Sequence, residues 1–248
     1  FSGTGPSDLG DILIMPVVGK PNLASDEQGA PLFGSAFSHD TEHAEPGYYG
    51  VELDRYHIQA QLTATDRVGI HQYTYLEGGE ALVVMDLTYN IYHHPDKNVW
   101  TFVRVENDST VVGYRQTTGW GRTRLVHFAM RFDRAFLDFG YERGQELTYN
   151  GFYRRFDEAH GFPEMAGRDL RAWFDFGNLE NNESIGVRVA LSGVSTAGAL
   201  ANLEAEAPHF DFERARTEAD AAWETELARV ELEPLREEDA TTFYTAMY

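Results

Sequence analysis

Cysteine is missing from all 248 residues. That one absence excludes disulfides, thiolate metal sites, CxxC redox chemistry and cysteine nucleophiles, while leaving the compartment open. Lysine is nearly missing too: the 20 basic residues are 18 Arg plus Lys20 and Lys97. Set against 40 Asp and Glu, they leave a formal net charge of −20. A field this negative repels phosphate backbones and anionic headgroups, so the sequence predicts no nucleic-acid and no membrane partner. Neutral and cationic ligands remain open. No apolar run approaches the roughly 20 residues that span a bilayer, and there is no internal repeat or low-complexity tract. No signal peptide is visible, but the chain opens on Phe1, so the expectation is an N-terminus trimmed from something longer.

What is present argues for a packed globule. Hydrophobic residues make up 42% of the chain and aromatics 13%, too much apolar surface for disorder despite the charge. Most of the first 200 residues alternate with a period of two, the mark of half-buried strands. Ile58, Ala60, Leu62 and Ala64 share one face, as do Val126, Phe128, Met130 and Phe132. Val99, Thr101, Val103 and Val105 oppose Trp100, Phe102 and Arg104. Further strands are expected over 12–15, 48–53, 68–75, 81–87, 110–116, 172–176 and 185–194. Glu77-Gly78-Gly79-Glu80 and Glu106-Asn107-Asp108-Ser109 read as hairpin connections, and residues 20–34 read as an exposed loop. About ten strands with short turns predict a large antiparallel sandwich.

The pattern changes near Pro208. Phe212, Ala215, Ala219, Trp223, Leu227 and Val230 recur at helical spacing behind Asp211, a suitable N-cap. A second helix is expected with Asp239 as its cap. Its pattern is still running at Tyr248, so the expectation is a C-terminus that also continues. The boundary between the β part and the helical connector is placed at 207/208.

Candidate sites are harder to rank. The glycines between Gly3 and Gly10 suggest a dinucleotide loop, but their spacing is wrong, Pro6 interrupts them, and a strand rather than a helix follows. His93 and His94 are adjacent, and strand neighbours point to opposite faces, so they cannot share an ion without a bulge. Gly193-Val194-Ser195-Thr196-Ala197 lacks the second glycine of a nucleophile elbow. Forty carboxylates contain many conceivable glycosidase pairs and identify none. His39 and Glu42 lead directly into an aromatic strand and are the more interesting polar group. Trp120, between two glycines, is the best exposed platform for a sugar ring.

Several segments together resemble glycoside hydrolase family 92, the calcium-dependent exo-acting α-mannosidases. Ser2-Gly3-Thr4-Gly5, Asp8 and Gly10-Asp11-Ile12-Leu13-Ile14-Met15-Pro16 are similar to one family segment. Phe37-Ser38-His39, Glu42, Ala44 and Pro46-Gly47-Tyr48-Tyr49 are similar to a second. Leu62-Thr63-Ala64-Thr65, Arg67-Val68-Gly69, His71 and Tyr73 match a third. Gly119-Trp120, Asn202-Leu203-Glu204-Ala205-Glu206 with Asp211-Phe212, and Phe243 to Tyr248 complete six matches in family order.

The resemblance implies a mainly β fold: a large antiparallel β-supersandwich, galactose-mutarotase-like, over 1–207, followed by connector helices over 208–248. An (α/α)6 catalytic barrel is expected to follow as its partner. In the family that barrel carries the acid, the base and most of the calcium (Ca2+) site, so no catalytic residue is assigned in this chain. The implied reaction is inverting hydrolysis of terminal mannose, α-1,2-linked, from mannose-containing oligosaccharides such as N-glycans or mannans. A secreted, periplasmic or cell-surface enzyme is expected. The loop Ser2, Gly3, Thr4, Gly5 and Asp8 is the expected substrate contact. Residues 138–168 match nothing in the family and are read as a variable hairpin insertion. Two alternatives stay open: a stand-alone carbohydrate-binding or interaction module, and a mutarotase-like enzyme, for which His71, His127 and Glu52 are the residues to check.

Overall fold

The alternating segments form strands in a computed structural model, which describes residues 12–27, 29–90, 96–119, 121–143, 163–233 and 236–247. In chain order the strands are β1 (Leu13–Val18), β2 (His43–Glu45), β3 (Tyr48–Leu53), β4 (Ile58–Ala64), β5 (Val68–Tyr75), β6 (Gly79–Asp86) and β7 (Asn98–Asn107). They continue as β8 (Thr110–Thr117), β9 (Arg124–Phe132), β10 (Asp138–Arg143), β11 (Glu164–Gly167), β12 (Leu170–Leu179) and β13 (Glu183–Ser192). Helices α1 (Thr196–Glu206), α2 (Phe212–Leu227) and α3 (Glu237–Met247) follow. Among the described residues one sheet has four strands in the order β1-β6-β12-β10, and the other has nine, β11-β7-β8-β9-β13-β5-β4-β3-β2. The described pairings between strands are antiparallel.

The two sheets face each other across the main core. Tyr73, Tyr75, Phe128, Met130 and Ile185 come from the large sheet, and Val83, Met85, Ala172 and Phe174 from the small one. Phe132 anchors an aromatic cluster, with ring centroids 5.3 Å from Phe174, 5.0 Å from Phe176 and 6.0 Å from Phe136. The four inward residues expected of β9 are all buried. The outer faces are covered as well. Val68, Ile70, Val112, Ala129 and Ala190 pack against Ala199, Leu203, Phe212 and Ala215 of the helices. Val17, Leu82 and Val84 pack under Leu23 and Phe33. Central strands are therefore buried on both faces, which is why six consecutive residues of β13 are inaccessible and the period of two weakens there.

Several expectations need correction. The 20–34 loop is not simply exposed: it places Leu23 and Phe33 on the small sheet, whose outer face is apolar and is covered by no helix among the described residues. The Gly78-Gly79 turn is not a hairpin. It carries the chain from β5 in the large sheet to β6 in the small one, with both glycines at positive φ (64° and 106°), a backbone that side chains disfavour. The strands at the two ends of 138–168, β10 and β11, edge different sheets and do not pair with each other, while residues 144–162 lie outside the described residues. A bulge between Asn98 and Trp100 turns Val99 outward, so Thr101 and Val103 continue the buried face without it. At the far end of β4, Thr63 rather than Ala64 is buried, its hydroxyl donating to the Gly47 carbonyl at 2.7 Å.

Asp211 caps α2 as expected, accepting from the Arg214 amide at 3.0 Å. Helical structure nevertheless begins before Pro208, at Thr196, where the Ser195 hydroxyl accepts from the Gly198 amide. Asp239 is not a cap. It lies in the first turn of α3, paired with Arg236 at 2.6 Å.

Phe174 is fully buried in the aromatic cluster, whereas Val194 is 84% exposed. Phe174→Ala is expected to lower unfolding stability by about 3–5 kcal/mol through the cavity it leaves. Val194→Ala should stay within about 0.5 kcal/mol of wild type. Urea unfolding followed by tryptophan fluorescence reads both.

Candidate functional site

The polar residues picked out ahead of β3 do come together. A turn at Ser38, closed by the Thr41 amide on the Ser38 carbonyl at 3.1 Å, brings His39 back over Glu42. The imidazole Nδ1 lies against one carboxylate oxygen of Glu42, and the Tyr49 hydroxyl donates to the other at 2.8 Å. The Phe37 ring meets His39 edge-on at 5.5 Å. Hydrogen bonds from His39 first, then Tyr49, hold the Glu42 carboxyl below its ordinary value. Burial, aided by Glu42, pushes the Tyr49 phenol up to about 12.

Tyr49 opens a row across the inner face of the large sheet. It pairs with Leu62, Leu62 with His71, and His71 with Val187. His71 Nδ1 is 2.7 Å from the Tyr73 hydroxyl. Burial pushes the imidazole down to about 4, so it is neutral at pH 7. His127 is two strands from His71, on β9, and its alternation with the buried Val126 and Phe128 turns it to the opposite face of the same sheet. Glu52 pairs with His57 at 3.5 Å. The three residues named for a mutarotase-like site therefore form no catalytic pair, because His71 is partnered by a phenol instead of a carboxylate.

General-acid work on a glycosidic oxygen needs a carboxyl whose proton is held to higher pH. Glu42 is shifted the wrong way. Asp133 is the described carboxyl that burial raises, and its ion-pair partner is Arg134 at 3.9 Å. Among the described residues no group of three or more His, Asp or Glu side chains could hold a metal ion. These residues thus do not fit a calcium site. The expected substrate loop, Ser2, Gly3, Thr4, Gly5 and Asp8, lies outside the described residues, as do His93, His94 and Trp120.

A second set of charged residues was not legible as a site in the sequence, and it binds the helices to the sandwich. Glu206 accepts from the Thr65 hydroxyl at 2.6 Å, from the Arg67 amide at 2.9 Å and from the Arg67 guanidinium. Arg131 pairs with Glu204 at 2.7 Å, and Arg188 donates to the Ala207 carbonyl at 2.6 Å. Asn202 donates to the Leu191 carbonyl at 2.8 Å. At the β2–β3 turn, Arg216 of α2 pairs with Glu45 at 2.7 Å and lies 3.9 Å over the Tyr48 ring. Gly47, at φ 81°, leaves no room for a side chain: a Cβ there would come within 3.1 Å of Ala219. The sequence signal was the Asn202-Leu203-Glu204-Ala205-Glu206 segment, in which two carboxylates follow a leucine that is fully buried.

Two unequal antiparallel sheets with helices laid on the outer face of the larger define a helix-backed β-sandwich. Residues 1–192 match the glycosyl hydrolase family 92 N-terminal domain, and residues 198–248 match the glycosyl hydrolase family 92 catalytic domain. The chain belongs to glycosyl hydrolase family 92. The segment expected as a connector is thus matched by the catalytic-domain family, and α1 starts inside the gap between the two matches.

Among solved structures, the chain is similar to a family GH92 alpha-mannosidase from Bacteroides thetaiotaomicron in complex with mannoimidazole. The TM-score is 0.83 and the identity 32%, over 97% of this chain and 30% of that one. The structure of that alpha-mannosidase without a named ligand gives 0.82, 33%, 97% and 32%. A family GH92 inverting mannosidase from the same organism gives 0.76 and 25%, over 96% and 29%. The chain therefore spans about a third of the length of these relatives. No curated protein matches it in sequence.

Two outcomes follow from this geometry. The folded pKa of His71 is below its unfolded value near 6.5, so the unfolded state binds more protons between pH 6.5 and 4. Stability should be fully present above pH 6.5 and fall by at most about 3 kcal/mol as the pH drops toward 4. Urea midpoints at pH 7 and pH 5, for wild type and His71→Gln, isolate the contribution: the variant should lose part of the pH dependence. Glu206→Ala strands its donors and should cost about 1–3 kcal/mol, read as a lower thermal midpoint.

Proposed function

We propose that this chain is the N-terminal part of an exo-acting α-mannosidase that removes terminal α-1,2-linked mannose from N-glycans or mannans. The observation that carries the reading is the consecutive match to the family's N-terminal and catalytic domains, together with 32% identity over nearly the whole chain to an alpha-mannosidase solved with mannoimidazole. That ligand supports a mannose-type substrate. The neighbour described as an inverting mannosidase supports inversion. Inversion needs an acid on the leaving oxygen and a base activating water on the opposite ring face, roughly 6.5–9.5 Å apart.

The sandwich is the scaffold in this reading. Glu42, Glu45 and Glu206 are held below the ordinary carboxylate range by their hydrogen-bonding partners, which suits support and positioning rather than proton donation. Acid, base and calcium ligands belong to residues other than those described, in the (α/α)6 domain that partners the sandwich. The Ser2–Asp8 loop, with Ser2, Gly3, Thr4, Gly5 and Asp8, is this chain's own contribution to sugar binding. A net charge of −20 leaves an uncharged glycan as a compatible ligand. A secreted, periplasmic or cell-surface setting fits such a substrate.

The full-length enzyme, incubated with α-1,2-mannobiose and followed by proton NMR, should release β-mannose first and lose activity in a calcium chelator. Residues 1–248 alone should release none. Initial α-mannose would overturn inversion, and turnover by residues 1–248 would overturn the scaffold assignment.

A further inference from the structure

The helices cover the outer face of the large sheet and reach the turns at Gly47 and Thr65. The opposite ends of the same strands carry a different surface. There the β3–β4 turn and the β5–β6 crossing enclose an open cleft of about 420 Å³, lined by Val18, Arg55, Tyr56, His57, Glu77 and Gly78. Nothing in the reading above uses it.

The walls of this cleft are fixed in place. The Arg55 guanidinium donates to the carbonyls of Leu32 at 2.6 Å and Gly34 at 3.2 Å, and lies 5.1 Å over the Tyr56 ring. The Arg55 amide donates to the Ser35 hydroxyl at 3.0 Å. The Tyr56 hydroxyl donates to the Phe33 carbonyl at 3.0 Å, so the ring is pinned from both ends. His57 holds the left-handed conformation, φ 48°, at the last position of the turn, where glycine carries least strain. Its carbonyl accepts from the Leu76 amide at 2.9 Å, and its ring is 3.5 Å from Glu52. Strain at a non-glycine residue that presents a polar ring to a cleft is a recurrent mark of ligand sites.

The chemistry of the lining selects a ligand class. Guanidinium and imidazole N–H groups donate, the Glu77 carboxylate accepts, and Tyr56 and Val18 supply apolar surface. Cationic and anionic groups nearly balance within the cleft, while the whole chain carries −20, which disfavours an anion. Paired donors and acceptors over a short apolar floor suit vicinal hydroxyls on a pyranose ring. We propose that this cleft is an ancillary carbohydrate-binding site for uncharged hexose oligomers, set at the end of the sandwich opposite the helices. Resting on the mannosidase reading, its ligand is the non-reacting part of the mannan or glycan whose terminal residue is cleaved elsewhere.

The test uses the full-length enzyme with its catalytic centre saturated by mannoimidazole. Binding of a linear α-mannan oligosaccharide is then measured by calorimetry for wild type, Arg55→Ala, Glu77→Gln and His57→Gly. His57→Gly removes the ring while relieving backbone strain, so it keeps the fold, checked by an unchanged thermal midpoint. Wild type is expected to bind with the centre blocked, and each variant to bind about tenfold more weakly. Loss of all binding under mannoimidazole, or variants that bind like wild type, would sink the proposal. Turnover of an aryl α-mannoside is recorded alongside. Without turnover, the mannosidase reading fails by itself, and binding of gluco- and galacto-oligomers by the same variants still decides the cleft.

Discussion

The rest of this structure depends on an apolar patch that the large sheet carries on its outer face, in addition to its inner one. A nine-stranded antiparallel sheet with one wet face would need only the small sheet as its partner. Here Val68, Ile70, Val112, Ala129 and Ala190 form an apolar patch on the outer face, and α1 and α2 lie on it. The ion pairs of Glu204, Glu206 and Arg216 then fix where they lie. Burial supplies the affinity, and the charges supply the register.

That division explains why an acidic protein shows so little catalytic apparatus in the described residues. The hydrogen bonds of Arg216 to Glu45 and of Arg67 to Glu206 favour the charged carboxylates, and charged carboxylates do not protonate leaving groups. Glu42 illustrates the point: His39 and Tyr49 organise it well and, in doing so, take it out of contention as an acid. The nearly exclusive use of Arg over Lys fits this role, because a planar guanidinium can serve two or three acceptors at once, as Arg171 does with Asp86, Ser25 and Thr88.

Much of this was legible in the sequence. Alternation located most of the strands within a few residues, and the capping role of Asp211 held. Local pattern could not say which sheet a strand joins. Glu77-Gly78-Gly79-Glu80 has the composition of a hairpin turn, yet β5 and β6 part company there, because the pairing is decided by β12 and β13 about a hundred residues later. Helix α1 escaped notice because Ala199 and Leu203 are its only buried side chains and the rest of it is nearly apolar-neutral. Strands β10 and β11 were hidden by their unmatched surroundings. Of the candidate sites, the His39–Glu42 pairing was visible from spacing; the cleft around His57 was not, since Val18, Arg55 and Glu77 meet only in the folded chain.

The crossing at Gly78-Gly79 also has a bearing on how the chain can fold. β6 completes its pairing only with β12, and β5 only with β13, so the small sheet closes at about Leu179 and the large one at about Ser192. Such long-range pairing is slow and leaves strand edges open meanwhile. A nascent chain halted at Ser192 would have both sheets but a bare row of Val68, Ile70, Ala129 and Ala190, a surface built to be covered. The limit of the N-terminal family match is therefore a boundary of homology rather than of folding. The packing of α1 and α2 on that row carries the core past residue 192.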